Sequence, residues 1–224
     1  MKDLNKKIIF SLLFIVIGYA ALQVPLSQLI GSNVRFSVFD FVGPIAGAFL
    51  GPIFGVISVA LVQTVNLGIH HTHLDTFTEV RFVTALFATL YFALMSRKYK
   101  YSYLSLLVPA VAIVAFWSHP VGRHVWYFAL FWLIPIIAYF KRDLVFARAL
   151  GATMTAHAVG GALWIWFVPT TTVYWNNLIP IVIRERFVFA LGMMLCYLAL
   201  DSVLNYLVSK KKLSILRTLQ PALS

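Results

Sequence analysis

Phe36-Ser37-Val38-Phe39-Asp40-Phe41-Val42-Gly43-Pro44-Ile45-Ala46-Gly47-Ala48-Phe49-Leu50-Gly51-Pro52-Ile53-Phe54-Gly55 is apolar apart from Ser37 and Asp40, and the apolar run continues to residue 69. Nothing in it alternates with a period of two, so it is not the strand of a membrane barrel. Gly51-Pro52 breaks it. The stretch is either two helices joined at that dipeptide or one long kinked helix, and the choice fixes the orientation of everything that follows.

Comparable runs fill the rest of the chain. Hydrophobic residues make up 61% of the 224 residues and charged residues 11%, and a backbone surrounded by hydrocarbon must satisfy its hydrogen bonds within a helix bundle or a closed barrel. The expected fold class is therefore all-α, a polytopic transmembrane helix bundle forming one domain over residues 1–224. Apolar runs between breakers and charges place spans near 8–30, 37–50, 52–69, 80–96, 103–118, 124–140, 146–168 and 178–208. With eight spans and a cytoplasmic N-terminus, 13 of the 18 Lys and Arg residues face the cytoplasm, leaving Arg35, Arg81, Arg123, Arg184 and Arg186 outside. Fusing 37–69 into one helix inverts the later spans and violates the positive-inside rule. Eight spans with both termini cytoplasmic is the expectation, and with it a multi-pass protein of the cell membrane.

The net charge of +11 does not point to nucleic acid, because the basic residues sit at the ends of apolar runs and contact anionic lipid there. Lys6-Lys7 before an apolar stretch resembles a signal peptide, but no small-x-small cleavage site follows and the run continues, so it is expected to remain as an anchor. The single cysteine, Cys196, excludes an intrachain disulfide and is expected to pack as a small hydrophobe.

Polar residues gather toward the outer side. Gln63, Asn66 and His70 fall at i, i+3 and i+7, on one face of the third span. Asp40 opens the second span, and Gln23, Ser27 and Gln28 occupy the outer half of the first. The outer ends and loops add His71, His73, Asp75, Glu79 and Arg81, then His119, Arg123 and His124, then Asn176 and Asn177, and finally Arg184, Glu185 and Arg186. Arg184 and Arg186 diverge by about 200° on a regular helix, so they do not share one pocket. His157 lies mid-span among small residues, either as a structural histidine or as a ligand or proton site. Trp117, Trp126, Trp164, Trp166 and Trp175 fit an interfacial aromatic belt, and the same residues would suit a pocket for a flat organic ligand. Asp201 and Asn205, one turn apart near the inner end, are expected to bond a neighbouring helix or face a cytoplasmic surface. The sequence contains no zinc-protease H-E-x-x-H, no G-x-S-x-G turn and no P-loop lysine. His70, His71 and His73 form a weak metal-binding pattern.

The segment 36–55 resembles the second and third helices of the substrate-binding S components of energy-coupling factor transporters. There, an Asp near the outer end precedes a Pro, an Ala-Gly pair and a Gly-Pro-x-x-Gly turn. Asp40, Pro44, Ala46-Gly47 and Gly51-Pro52-Ile53-Phe54-Gly55 match this pattern, within a resemblance extending over residues 8–69. S components usually have six spans, and their small-residue repeat in the first helix is matched only loosely, by Gly18, Ala20 and Ala21.

The resemblance implies a small membrane subunit that captures a vitamin-like micronutrient from outside. It also implies a separate transmembrane coupling subunit and paired ATPases as partners. Asp40, Gln63, Asn66, His70, His157, Trp164 and Glu185 are the expected substrate-binding residues, with no cofactor, membrane lipids as further partners and no catalytic residue. Two other readings stay open: an intramembrane enzyme acting on a lipid or lipid-linked substrate, with His157 as base or the 184–186 cluster gripping phosphate, and a metal- or haem-handling protein.

Overall fold

A computed structural model of the chain describes residues 2–28, 35–71, 75–95 and 99–209. The fold is all-α apart from one short hairpin. Its elements are α1 (Lys2–Leu22), β1 (Pro25–Gln28), β2 (Arg35–Ser37), α2 (Phe39–Val42), α3 (Ala46–Ile69), α4 (Thr76–Leu94), α5 (Leu107–Ser118), α6 (Pro120–His124), α7 (Ile134–Phe140), α8 (Val145–Phe167) and α9 (Thr172–Ser209). 3-10 turns at Ser102–Leu106 and Trp126–Leu133 run directly into α5 and α7.

The first helix ends earlier than the expected residue 30. Pro25 has no N–H to continue it and forces Val24 toward an extended backbone, and the chain enters β1, which pairs antiparallel with β2. The segment 37–50 is likewise not one continuous helix, since α2 is a single turn and Gly43-Pro44 separates it from α3. At the other boundaries the fit is closer. α4 starts at Thr76, four residues before the expected position, because the Asp75 carboxylate caps it by accepting from the Thr78 N–H at 2.8 Å.

Gly51 decides the shape of α3. Its φ of 83° and ψ of 175° interrupt the helix, and a Cβ placed on Gly55 would stand 2.8 Å from the Gly47 Cα. Eight residues of straight helix would separate those positions by about 12 Å. The chain therefore turns back on itself at Gly51, and residues 46–50 and 52–69 are two arms, not one kinked rod. Small residues at 47 and 55 permit the backbones to touch.

α3 packs between α1 and α4, α4 packs on α8, and α8 is flanked by α5, α7 and α9. Two apolar clusters result. One joins α1, α2, α3, α4 and the second half of α9 around Phe39, Phe92 and Tyr197, with half-buried Cys196 packed against it. The other joins α5, 126–133, α8 and the first turns of α9 around Phe116, Trp132 and Trp175.

Among the described residues, three helical segments are long and apolar enough by length and composition to cross a membrane: Ala46–Ile69, counted across its turn at Gly51, Thr76–Leu94 and Thr172–Tyr206. Shorter apolar stretches cover Lys7–Leu22, Ser102–Ser118 and Trp126–Phe140. The exterior is apolar as well. Val16, Ile53, Val111, Ile137, Phe140, Phe167 and Leu195, spread over six helices, are each exposed by more than half, an apolar exterior of the kind that lipid can solvate.

Candidate functional site

A cavity of about 140 Å³ opens where the two apolar clusters meet, between β2, α2, α4, α8 and α9. Four of the seven expected site residues line it: Asp40, His157, Trp164 and Glu185. They come from three elements, α2, α8 and α9. Asp40 is fixed in the single turn of α2, where its Oδ2 accepts from the Ser37 N–H at 2.7 Å. Glu185 projects from α9, and His157 and Trp164 lie two turns apart on α8.

The residues that complete the site are arginines. Arg81 Nη2 donates to Asp40 Oδ2 at 2.7 Å, with both side chains less than one-fifth exposed. Arg186, 8% exposed, reaches Glu185 Oε2 at 3.5 Å and donates to Thr153 Oγ1 at 3.3 Å. Both guanidiniums lie about 5 Å from the centre of the Phe36 ring, Arg81 at 5.0 Å and Arg186 at 5.3 Å. Arg186 also stacks on Phe189 at 4.7 Å. The hairpin thus contributes an aromatic ring within about 5 Å of two cations, and two carboxylates balance them. The sequence reading places Arg81 among the outer-side charges and Arg186 in the 184–186 cluster, and neither among the expected substrate-binding residues. Asp40 was the available signal, since an ionisable group inside an apolar segment calls for a partner. Arg184 is exposed while Arg186 is buried, as the i, i+2 divergence requires.

His157 is held by a residue absent from the expected site. Trp132 Nε1 donates to His157 Nδ1 at 2.9 Å. The indole is fully buried and lies against Gly161, where an added Cβ would come within 2.5 Å of it. The tryptophans divide between belt and pocket. Trp117, Trp126 and Trp166 are exposed, while Trp164 and Trp175 are buried and line the cavity with Tyr174.

Gln63, Asn66 and His70 do not reach the cavity. They share a face as expected, but that face turns toward α1 and the start of α4. Gln23 Nε2 donates to Asn66 Oδ1 at 3.0 Å, and the other end of the Gln23 amide meets His70 Nε2 at 3.2 Å. Gln63 Nε2 donates to the Phe82 carbonyl at 3.3 Å. These three act as fasteners between helices, the usual use of polar groups in a bundle. The metal-binding pattern is not assembled either: His70 is engaged with Gln23, His71 is exposed with φ 46°, and His73 lies outside the described residues. Among the described residues no group of three or more His, Cys, Asp or Glu side chains is placed to hold a metal.

What the arrangement offers a ligand is a set of hydrogen-bond donors on an aromatic floor. Arg81 Nη1, Arg186 Nε and Trp164 Nε1 are buried and make no hydrogen bond, and a buried donor left unmade costs roughly 1–3 kcal/mol. Comparison with protein-family models, with curated proteins and with solved structures finds no match to this chain.

Proposed function

We propose that this chain is a membrane-embedded substrate-binding subunit that captures a small micronutrient from outside the cell. It crosses the membrane eight times with both termini in the cytoplasm, and hands its substrate on through a separate transmembrane coupling subunit driven by ATPases. The carrying observation is the cavity: charge-paired side chains from α2, α4 and α9 converge on it, with unpartnered donors and aromatic walls. Small-molecule sites have this composition, mostly apolar walls with a few convergent polar groups. The count of eight spans rests on the distribution of Lys and Arg along the sequence, and the reversal at Gly51 separates residues 46–50 from 52–69 as that count needs. The resemblance of residues 36–55 to S components supports the coupling partner.

Mass spectrometry of compounds released by denaturing the detergent-purified protein tests the reading. A stoichiometric small organic molecule is the expected result. A lipid-linked intermediate or a stoichiometric metal in its place would overturn it.

A further inference from the structure

The cavity's polarity bears on which ligand it takes, an inference that rests on the binding-subunit reading. A neutral imidazole carries one proton. Because Trp132 Nε1–H donates to His157 Nδ1, that nitrogen must be the unprotonated one, and the proton sits on Nε2. An imidazolium would set two N–H groups against each other at the Trp132 contact. The ring has no second hydrogen bond among the described residues, and His157 lines the cavity. Its Nε2–H therefore joins Arg81 Nη1, Arg186 Nε and Trp164 Nε1, three buried donors that also lack partners. All four belong to residues around one cavity, and all four donate.

We propose that the cavity is a donor site that takes the hydrogen-bond-acceptor edge of a flat molecule carrying no net charge, and that Trp132 is the positioning residue that keeps His157 a donor. Flatness follows from the aromatic walls, Trp164 and Phe36 among them. Zero net charge follows from the balance already present: Asp40 with Arg81 and Glu185 with Arg186 sum to neutrality, and an extra buried charge would go uncompensated. The acceptor edge is a carbonyl oxygen or an unprotonated ring nitrogen. Ligands that present only N–H groups and no acceptor lone pair are rejected, because they leave every donor unmet.

The test uses the full chain in detergent with ring-15N-labelled histidine, the His157 signals being assigned by their loss in His157→Gln. The expected spectrum has Nε2 protonated and Nδ1 unprotonated, and Trp132→Phe shifts part of the proton to Nδ1. Two shape-matched probes then separate acceptor from donor: quinoxaline, with two ring-nitrogen acceptors and no donor, and indole, with one donor and no acceptor. Quinoxaline moves the His157 Nε2–H signal and indole leaves it in place. A protonated Nδ1 in the unmodified protein, an equal response to indole, or no response to quinoxaline would each overturn the proposal. Mass spectrometry of released compounds judges the binding-subunit reading separately. A bound small molecule with the wrong His157 response leaves that reading standing while this inference falls.

Discussion

At the scale of single residues, the decisive contacts are the two charge pairs at the cavity. Removing one partner of a partly buried pair strands the other charge, and Asp40→Asn is expected to destabilise by about 2 kcal/mol. The double variant Asp40→Asn/Arg81→Gln should lose less than the two single losses added together, because the stranded charge goes with its partner. Thermal or denaturant unfolding in detergent measures both, and strict additivity would show that the 2.7 Å pair contributes nothing.

Half of this site was legible in the sequence. Asp40 stood out as an acid in an apolar run, and His157 as the titratable group deepest in a span. What stayed hidden was which face of each helix turns inward. Gln63, Asn66 and His70 have the right mutual spacing, but α1 and α4 claim that face for packing, and no periodicity within α3 reveals it. Trp132 was hidden for another reason: it lies 25 positions from His157, in a 3-10 segment whose register the 3.6-residue helix pattern does not describe.

At the scale of elements, the chain is punctuated by residues with specific backbone roles. Gly51 sits at φ 83°, a region that a residue with a Cβ enters at a cost of about 1–2 kcal/mol. Gly51→Ala should destabilise by at least that much, with the Tyr99 hydroxyl adding crowding at 2.8 Å from the new methyl. A stability equal to the parent's would mean that the reversal does not depend on this backbone. The break itself was readable from Gly-Pro. The β1–β2 hairpin was not, since its two strands are short and their pairing is a contact between segments, although Pro25 marked where helix had to end.

α4 offers a second element-scale check. Asp75 caps it, and the hydrogen bonds from Thr78 hold the Asp75 carboxyl below its ordinary value of 3.8. The folded form therefore binds this proton less readily than the unfolded chain. The cap's contribution is fully present above the unfolded value and is lost as pH falls through the depressed one. Asp75→Ala should cost about 1 kcal/mol near neutral pH, and Asp75→Asn should retain most of the cap while removing its dependence on acid. Unfolding of the three proteins at neutral and acidic pH measures both effects.

At the scale of the whole molecule, the apolar exterior was readable from composition, because lipid would impose its demand on every helix at once. The proposed orientation rests on where Lys and Arg fall along the chain. Cys196 is the only cysteine, so a Cys196→Ala background permits single-cysteine labelling with an impermeant maleimide on intact cells. A cysteine at position 71 should label from outside and one at position 100 only after permeabilisation. The opposite pattern would invert the topology and move the cavity to the cytoplasmic half.

The proposed function requires that the cavity between α2, α4, α8 and α9 hold a small molecule. Comparison of the compounds released from the unmodified protein, from Gln63→Leu and from Ala156→Phe tests it most directly, since Ala156 lines the cavity and Gln63 does not. One stoichiometric organic compound is expected in the unmodified protein and in Gln63→Leu, with its loss from Ala156→Phe at unchanged unfolding temperature. A compound retained by Ala156→Phe, lost from Gln63→Leu, or absent from all three would contradict it.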